Sequence, residues 1–462
     1  MIRQAPRLIL ALAAAALAGC QLAPDHTAPA TASPPAWRQG SVTQAWPATD
    51  WWRGFKSPQL DRLLADAEAD NDDLKAAAAR VREADAQARI AGAALLPTVG
   101  LGAGGEATRI VNPLGKERHN LNASAELGVA YELDFWGKNR AAATAAEQTA
   151  QAARYDQAVV RLTVLTSVAD AYFQARALRD QLDIARQQAA LAQAQLDATR
   201  AKFAQGLVDA QSLALAEAQV QTAQAATGPL AGALTHMLDA LAILTGRSPE
   251  TIEIDRAPLD AVAAPDLGAG LPSQLLLHRP DVQRSEAALA AANADITVAR
   301  ADLLPSFNLT AAGGVESMAL ASAAGGPPQT LYNLAFSVFQ PIFDGGRLRG
   351  QLDRNRARYD ELLADYSKTA RQAFADVEDA LGAVRDTGAA QTADQAALGR
   401  MQAALAMSRA GYAAGAVDLP TLQAAQAAVY PAEAALDQAR LAHLQSLVLL
   451  YQALGGGWSL PS

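Results

Sequence analysis

Leu121-Asn-Ala-Ser-Ala-Glu-Leu-Gly-Val-Ala-Tyr131-Glu-Leu-Asp-Phe-Trp-Gly137, followed by residues 139–205 without a single glycine or proline, decides the fold. In its first part Leu121, Ala123, Ala125, Leu127, Val129 and Tyr131 alternate with Asn122, Ser124, Glu126 and Gly128. A period of two gives a strand with one apolar face. Beyond Gly137 the composition turns to Ala, Gln, Arg and Leu, all good helix formers. Leu182, Ala185, Ala189, Ala192, Leu196, Thr199 and Phe203 then recur in steps of three and four, and Leu165, Val168, Tyr172, Ala175 and Leu178 continue the series upstream. That is coiled-coil spacing on a helix of ~100 Å, with small seam residues that let helices approach closely.

Outward from this stretch the chain is written twice. Leu95-Leu96-Pro97 returns as Leu303-Leu304-Pro305, Leu133–Lys138 aligns with Ile342–Arg347, Phe203–Asp209 aligns with Tyr412–Asp418, and Gly246 falls on Gly455. A nearly constant offset of this kind marks an internal repeat. The expected organisation is a first half over 59–250, a linker over 251–270, a second half over 271–457 and a short tail over 458–462. In the first half strands are expected at about 98–107 and 120–132, and a helical hairpin over 139–245, interrupted at Gly228-Pro229. The second half supplies strands at about 306–316 and 330–341 and a hairpin over 347–454. The fold class is therefore mainly α, with long coiled-coil helices and a small β part.

Four strands of about ten residues have the length needed to cross a bilayer in a tilted barrel. They cannot close by themselves, and an open edge in lipid leaves backbone groups unsatisfied at several kcal/mol each. The strands must be completed by other copies: two would give eight strands and a filled interior, three would give twelve with room for an opening.

The amino terminus fixes a compartment. Arg3 and Arg7 precede an apolar run from Leu8 to Leu17, too short to span a membrane, and residues 1–19 read as an export signal. Leu17-Ala18-Gly19-Cys20 resembles a bacterial lipobox, which makes Cys20 the expected lipidation site and Gln21 a residue compatible with outer-membrane sorting. Residues 20–58, carrying Pro24, Pro29, Pro34, Pro35 and Pro47, read as an extended tether. With 38 basic against 47 acidic residues and no basic run, nucleic acid is excluded as a partner. One cysteine and five dispersed histidines exclude an intrachain disulfide and leave no metal or catalytic motif. Gly100–Gly105 spells a dinucleotide-type glycine pattern inside an expected strand with no helix after it, so the phosphate-binding context is missing. No nucleophile–base grouping is present, no cofactor is expected, and an enzyme is not.

Several motifs then appear in a fixed order: Trp51-Trp52, Phe55 and Pro58; Asn71, Asp73-Leu74; Tyr131–Gly137; Leu241, Leu244 and Gly246; Arg279-Pro280-Asp281-Val282; Leu304-Pro305; and Gln340-Pro-Ile-Phe-Asp-Gly-Gly346. In this order the chain resembles the outer-membrane efflux protein family, in its lipoprotein branch. The resemblance implies a homotrimer with a twelve-stranded barrel in outer-membrane lipid and a twelve-helix periplasmic tunnel. It further implies a periplasmic adaptor protein and an inner-membrane, proton-driven pump, with this chain as passive outlet for drugs or other small toxic solutes. An outlet for secreted protein or metal ions is the alternative within that class, and a coiled-coil envelope spacer without a pore is the alternative outside it.

The same resemblance makes the turns at Gly206, Leu207, Val208 and at Gly415, Ala416, Val417 the adaptor-docking candidates. Asp209 and Asp418 read first as helix caps. Family members carry acidic residues just past the second turn; here Thr421 and Ala424 stand in that region, so Asp209, Asp418 or Tyr412 would have to close the tunnel differently. Trp51, Trp52 and Phe55 are expected to pack against the tunnel exterior, and Trp136 to sit at an interface after its strand.

Overall fold

The computed structural model describes residues 33–38, 46–111, 113–265, 270, 272–317 and 329–458. Cys20 and the loop holding Gly325–Pro328 lie outside the described residues. In chain order the elements are α1 (Pro58–Asp70), α2 (Asp72–Ala93), β1 (Thr98–Val111), β2 (Glu117–Glu132), α3 (Lys138–Ala204), α4 (Ala210–Ala225), α5 (Thr227–Leu244), α6 (Pro272–His278), α7 (Pro280–Ala301), β3 (Ser306–Ser317), β4 (Gln329–Phe339), α8 (Arg347–Ala413) and α9 (Leu419–Ala453). The duplication is visible in the elements, since α3 and α8 are both 67 residues long. Two compact units form, one from Arg80–Arg154 with Arg284–Ser367, the other from Tyr155–Gln283, Lys368 onward and the segment before Arg80.

The first unit holds the sheet, antiparallel in the order β1-β2-β3-β4. Strand β1 runs to Val111 rather than to 107, and β2 begins at Glu117 rather than 120. Glycines at 100, 102, 104 and 105 dilute the alternation that sequence alone can register, whereas the backbone ladder continues to Val111↔Glu117 because pairing, not propensity, sets its extent. The helical part of this unit has a small core, Ile296, Ala299 and Leu352 with Leu303 and Tyr359 against it. Arg154 pairs with Asp85 at 2.6 Å.

The second unit owns the main core. A short 3₁₀ turn, Trp51–Phe55, buries all three of its aromatics: Trp51 stacks on Tyr451 with centroids 4.6 Å apart, and Phe55 meets Phe173 at 5.0 Å. Helix α1 adds Leu60, Leu63, Leu64 and Ala67, spaced to put one apolar stripe on the core. Leu165, Val168, Tyr172 and Ala175 of α3 are fully buried there, and Leu182, Ala185, Ala192 and Leu196 continue the buried seam toward the hairpin end.

The segment between the halves is strapped down. Ile252, Ile254, Leu259 and Val262 are buried, Arg176 donates to the carbonyls of Ala257 and Pro258, Arg179 donates to those of Ile254 and Asp255, and Asp180 Oδ2 accepts the Leu259 amide at 2.7 Å. The proline-rich stretch before Trp51 is likewise not free in its described part. Trp37 is buried, its Nε1 donating to the Gly270 carbonyl at 2.7 Å, and Trp46 stacks on His278 at 4.2 Å. Proline content suggested an extended tether; two tryptophans, each with a partner, override it.

The return arm of the first hairpin breaks at Ala226, and Pro229 falls in the first turn of α5, where a missing N–H costs nothing. Pro431, by contrast, sits inside an unbroken α9 on an exposed position, where water can satisfy the carbonyl it leaves unbonded.

Candidate functional site

The register of the sheet sorts its side chains into two chemistries. Val99, Leu101 and Ala103 lie in rows with Val129, Leu127 and Ala125, and the rows continue through Ala311, Gly313 and Val315 to Leu334, Tyr332 and Thr330. Phe307 and Leu309 extend that face with Val338 and Phe336. Within one chain this face is bare: Leu101 is 79% exposed and Tyr332 91%. The opposite face carries Gly100, Gly102, Gly104, Gly128, Ser124, Asn308, Thr310, Ser337 and Asn333, with carboxylates that include Glu106, Glu126, Glu132 and Glu316; Leu331 and Phe339 are large apolar residues among them. The first face suits hydrocarbon and the second suits water, the division expected of a barrel wall around an aqueous lumen. Strands β1 and β4 each present an unpaired edge.

At the strand–helix joint of the first repeat, the residues between β2 and α3 lock onto the start of β3. The Leu133 amide donates to the Phe307 carbonyl at 2.8 Å, Phe135 meets the Phe307 ring edge-on at 4.9 Å, and Trp136 Nε1 donates to the Pro305 carbonyl at 2.7 Å. Lys138 reaches Asp302 at 3.1 Å and Glu132 at 3.6 Å. A cleft of about 660 Å³ opens beside this joint, lined among others by Lys138, Asp302, Phe339, Gln340 and Arg347. The corresponding residues after β4 find no such partners among the described residues: Ile342 and Phe343 are both 90% exposed.

The two hairpin turns repeat one construction. Gly206 and Gly415 adopt φ of +69° and +72°, their amides donate to Phe203 and Tyr412, and the amides of Leu207 and Ala416 reach back to the carbonyls of Lys202 and Gly411. This helix-ending motif needs a residue that tolerates the left-handed region. Asp209 Oδ1 then accepts the Ser212 amide at 2.8 Å and Asp418 Oδ1 the Thr421 amide at 3.0 Å, so each starts a returning helix. These hydrogen bonds hold both carboxyls below the usual aspartate range. Gly206, Leu207, Gly415 and Ala416 are exposed, Val208 and Val417 are half-buried, and Tyr412 is exposed near the second turn. A protein partner would meet backbone, a leucine and small apolar groups at these turns, with an ionised aspartate beside each.

A further pair of equivalent positions joins the short helices to the hairpin ends. Asn71 Nδ2 donates to the Leu244 carbonyl at 2.8 Å, and Arg279, a repeat later, donates to the Ala453 carbonyl at 3.2 Å. Burial by itself would lower the Arg279 pKa, but Asp281 at 2.6 Å and Asp376 at 2.8 Å outweigh it and hold the guanidinium charged. Among the described residues no cluster of side chains could hold a metal ion.

A model of the family described as outer membrane efflux protein matches the chain in two blocks, residues 63–247 and 271–456. The chain belongs to that family. The blocks coincide with the two repeats, so this outer membrane efflux protein is matched as a duplicated unit. A relative named pyoverdine export outer membrane protein OpmQ, from Pseudomonas aeruginosa, is 38% identical over 96% of this chain and 95% of its own. The cation efflux system protein CusC of Escherichia coli is 30% identical over 96% of this chain and 97% of its own. The crystal structure of the open state of the Neisseria gonorrhoeae MtrE outer membrane channel superposes with a TM-score of 0.83 at 28% identity, covering 95% of this chain and 98% of that one. The family consists of channel and transport proteins.

Sequence reasoning did not find the linker-holding pair Arg176 and Arg179 or the partners of Trp37 and Trp46. Both arginines have an acidic residue at i+4, Asp180 and Asp183, which hid the first behind ordinary helix-surface pairing; aromatics within a proline-rich stretch were the available signal for the second.

Proposed function

We propose that three copies of this chain assemble into a passive export conduit, with twelve strands forming a barrel in the outer membrane and twelve helices a tunnel in the periplasm. The observation that carries this reading is a four-stranded sheet with one apolar face, one hydrophilic face and two unpaired edges. Acylation of Cys20 would tie each copy to the lipid. The turns at Gly206–Val208 and Gly415–Val417 would dock a periplasmic adaptor, which connects the conduit to an inner-membrane, proton-driven pump. The pump supplies energy and selection; a lumen face of glycine, serine, threonine and asparagine with a few carboxylates selects poorly by itself.

Drugs or other small toxic solutes are the cargo class this favours. The relative named for pyoverdine export adds pyoverdine as a second cargo. Susceptibility of a deletion strain to a panel of toxic compounds, set beside its secretion of pyoverdine, separates the two. Purified protein that gave no conductance in planar bilayers, even with adaptor present, would instead support a spacer without a pore. Asp209, Asp418 and Tyr412 are the candidates for narrowing the periplasmic end. Asp418→Asn should keep its cap and relieve block by divalent cations; unchanged block would remove Asp418 from the gate.

A further inference from the structure

Two departures from pattern meet in the cleft at the strand–helix joint. Phe339 is a large apolar side chain on the hydrophilic face of the sheet, 65% exposed at the end of β4. Arg347, at the start of α8, makes no side-chain hydrogen bond or ion pair among the described residues, whereas Lys138, the other basic residue lining the cleft, is held by Asp302 and Glu132. Repeat position explains the difference. Arg347 is the counterpart of Lys138, but the counterpart of Asp302 is Ala94, so the acid that occupies Lys138 has no equivalent for Arg347.

The other acids of the cleft are already engaged. Asp134 accepts the amides of Asn139 and Arg140, each at 3.0 Å, and pairs with the Arg140 guanidinium at 3.2 Å. Asp344 accepts the amides of Gly346 at 3.0 Å and Leu348 at 2.9 Å, and feels Arg347 only through space. The cleft opens on the water-facing side of the sheet: Glu132, Ser306 and Phe339 line it, and their apolar-face neighbours Tyr131, Phe307 and Val338 do not. Its 660 Å³ lies within the ~300–1,000 Å³ typical of small-molecule sites. Helix α8 adds positive charge beside it. Leu352 and Tyr359 face the small core, so at ~100° per residue Arg347, Arg354 and Arg358 share one flank of the helix. The first repeat carries Lys138, Ala145 and Thr149 at those positions. Arg358 pairs with Glu361 at 2.7 Å, and Arg354 bonds the neutral Asn355 side chain.

Resting on the reading that cargo passes along the hydrophilic face, we infer that this cleft is a holding site for organic anions in transit, in which Arg347 takes a carboxylate, sulfonate or phosphate group and Phe339 the ring or alkyl body behind it. A planar guanidinium offers such an oxyanion two N–H donors at once. A neutral solute of the same shape gains the ring contact alone, and a cation is repelled by Arg347.

Calorimetric titration of the full-length protein in phosphatidylcholine nanodiscs tests this, with naphthalenesulfonate as the anion, naphthylmethanol as the neutral analogue and naphthylmethylammonium as the cation. The anion should bind at one site per chain, and the neutral and cationic probes about tenfold more weakly or less. Arg347→Gln should weaken the anion about tenfold and leave the neutral probe unchanged, Arg347→Lys should restore part of the loss, and Phe339→Ala should weaken both probes about fivefold. Arg349→Gln, an exposed arginine outside the cleft lining, should change neither. Equal anion binding in the parent and Arg347→Gln, or preference for the cation, would overturn the site. Anion binding that disappears in phosphatidylglycerol nanodiscs would give the cleft to a lipid headgroup and overturn the cargo assignment. Conductance of the same protein in planar bilayers separates the two readings: a conducting parent that binds no anion loses the site and keeps the conduit, and a parent that does neither loses both.

Discussion

Replacing Gly246 by alanine should cost the protein far more than the same change at Gly206, although the two share one backbone conformation. Their φ values are +67° and +69°, so alanine pays about 1–2 kcal/mol at either for entering the left-handed region. The surroundings differ. A Cβ on Gly206 meets nothing within 4 Å, whereas one on Gly246 would stand 2.3 Å from the Asp70 carbonyl oxygen. That carbonyl would have to retreat by about 1 Å to reach ordinary contact distance. It ends α1 next to Asn71, whose side chain both holds the Leu244 carbonyl at 2.8 Å and accepts the Leu74 amide at 3.0 Å. Weakening both bonds adds about 2 kcal/mol, for a total of about 3–4 kcal/mol against 1–2 at Gly206. Gly455, at φ +87° with the His278 carbonyl oxygen 2.1 Å from its would-be Cβ, should behave like Gly246, and Gly415 like Gly206. Urea unfolding of detergent-purified protein, followed by far-ultraviolet circular dichroism, gives the four values. Equal losses at Gly246 and Gly206, within about 0.5 kcal/mol, would refute the close-approach argument.

Leu127→Arg places a cation near the middle of the apolar face and should cost about 2–4 kcal/mol per subunit, seen as loss of folded protein from the outer membrane; Glu126→Gln, one residue away on the other face, should be recovered normally. Asp170 has a buried, unpartnered Oδ1, and burial pushes its carboxyl up to about 6. The folded state therefore holds this proton more tightly than the unfolded chain. Its contribution to stability is full below about pH 4, falls as pH rises to about 6, and is then lost, on the order of 3 kcal/mol. Asp170→Asn should be more stable than the parent at pH 7.5 and gain little at pH 4.5; equal gains at both would refute the assignment. Cys20→Ala should abolish incorporation of labelled palmitate, and retained label would move the anchor elsewhere.

The fold was largely legible because two periodicities are written plainly. Residues 121–131 alternate cleanly, and the seam from Leu165 to Leu196 keeps its three-four spacing over the buried positions of α3. Element ends were harder: β1 lost its signal among glycines that pack by pairing rather than by side chain. At the hairpin turns glycine and aspartate announced their conformations directly, since few other residues accept positive φ or cap a helix so well. The placement of Trp37 and Trp46 was not legible, because a partner carbonyl more than 200 residues away, as between Trp37 and Gly270, leaves no local trace. Arg279 is visible in the sequence only as part of a family motif, and its bond to Asp376 is likewise long-range.

The unequal joints after β2 and β4 have a mechanical consequence. Within a chain the seam is riveted by Trp136, Phe135 and the Lys138–Asp302 ion pair. Gly345, Asp344 and Arg347 stand at the corresponding places after β4, and Ala94 takes the place of Asp302. A cylinder of three such staves is stiff along the seams each stave carries and pliant along the seams it shares, so its wall would breathe with threefold rather than sixfold rhythm.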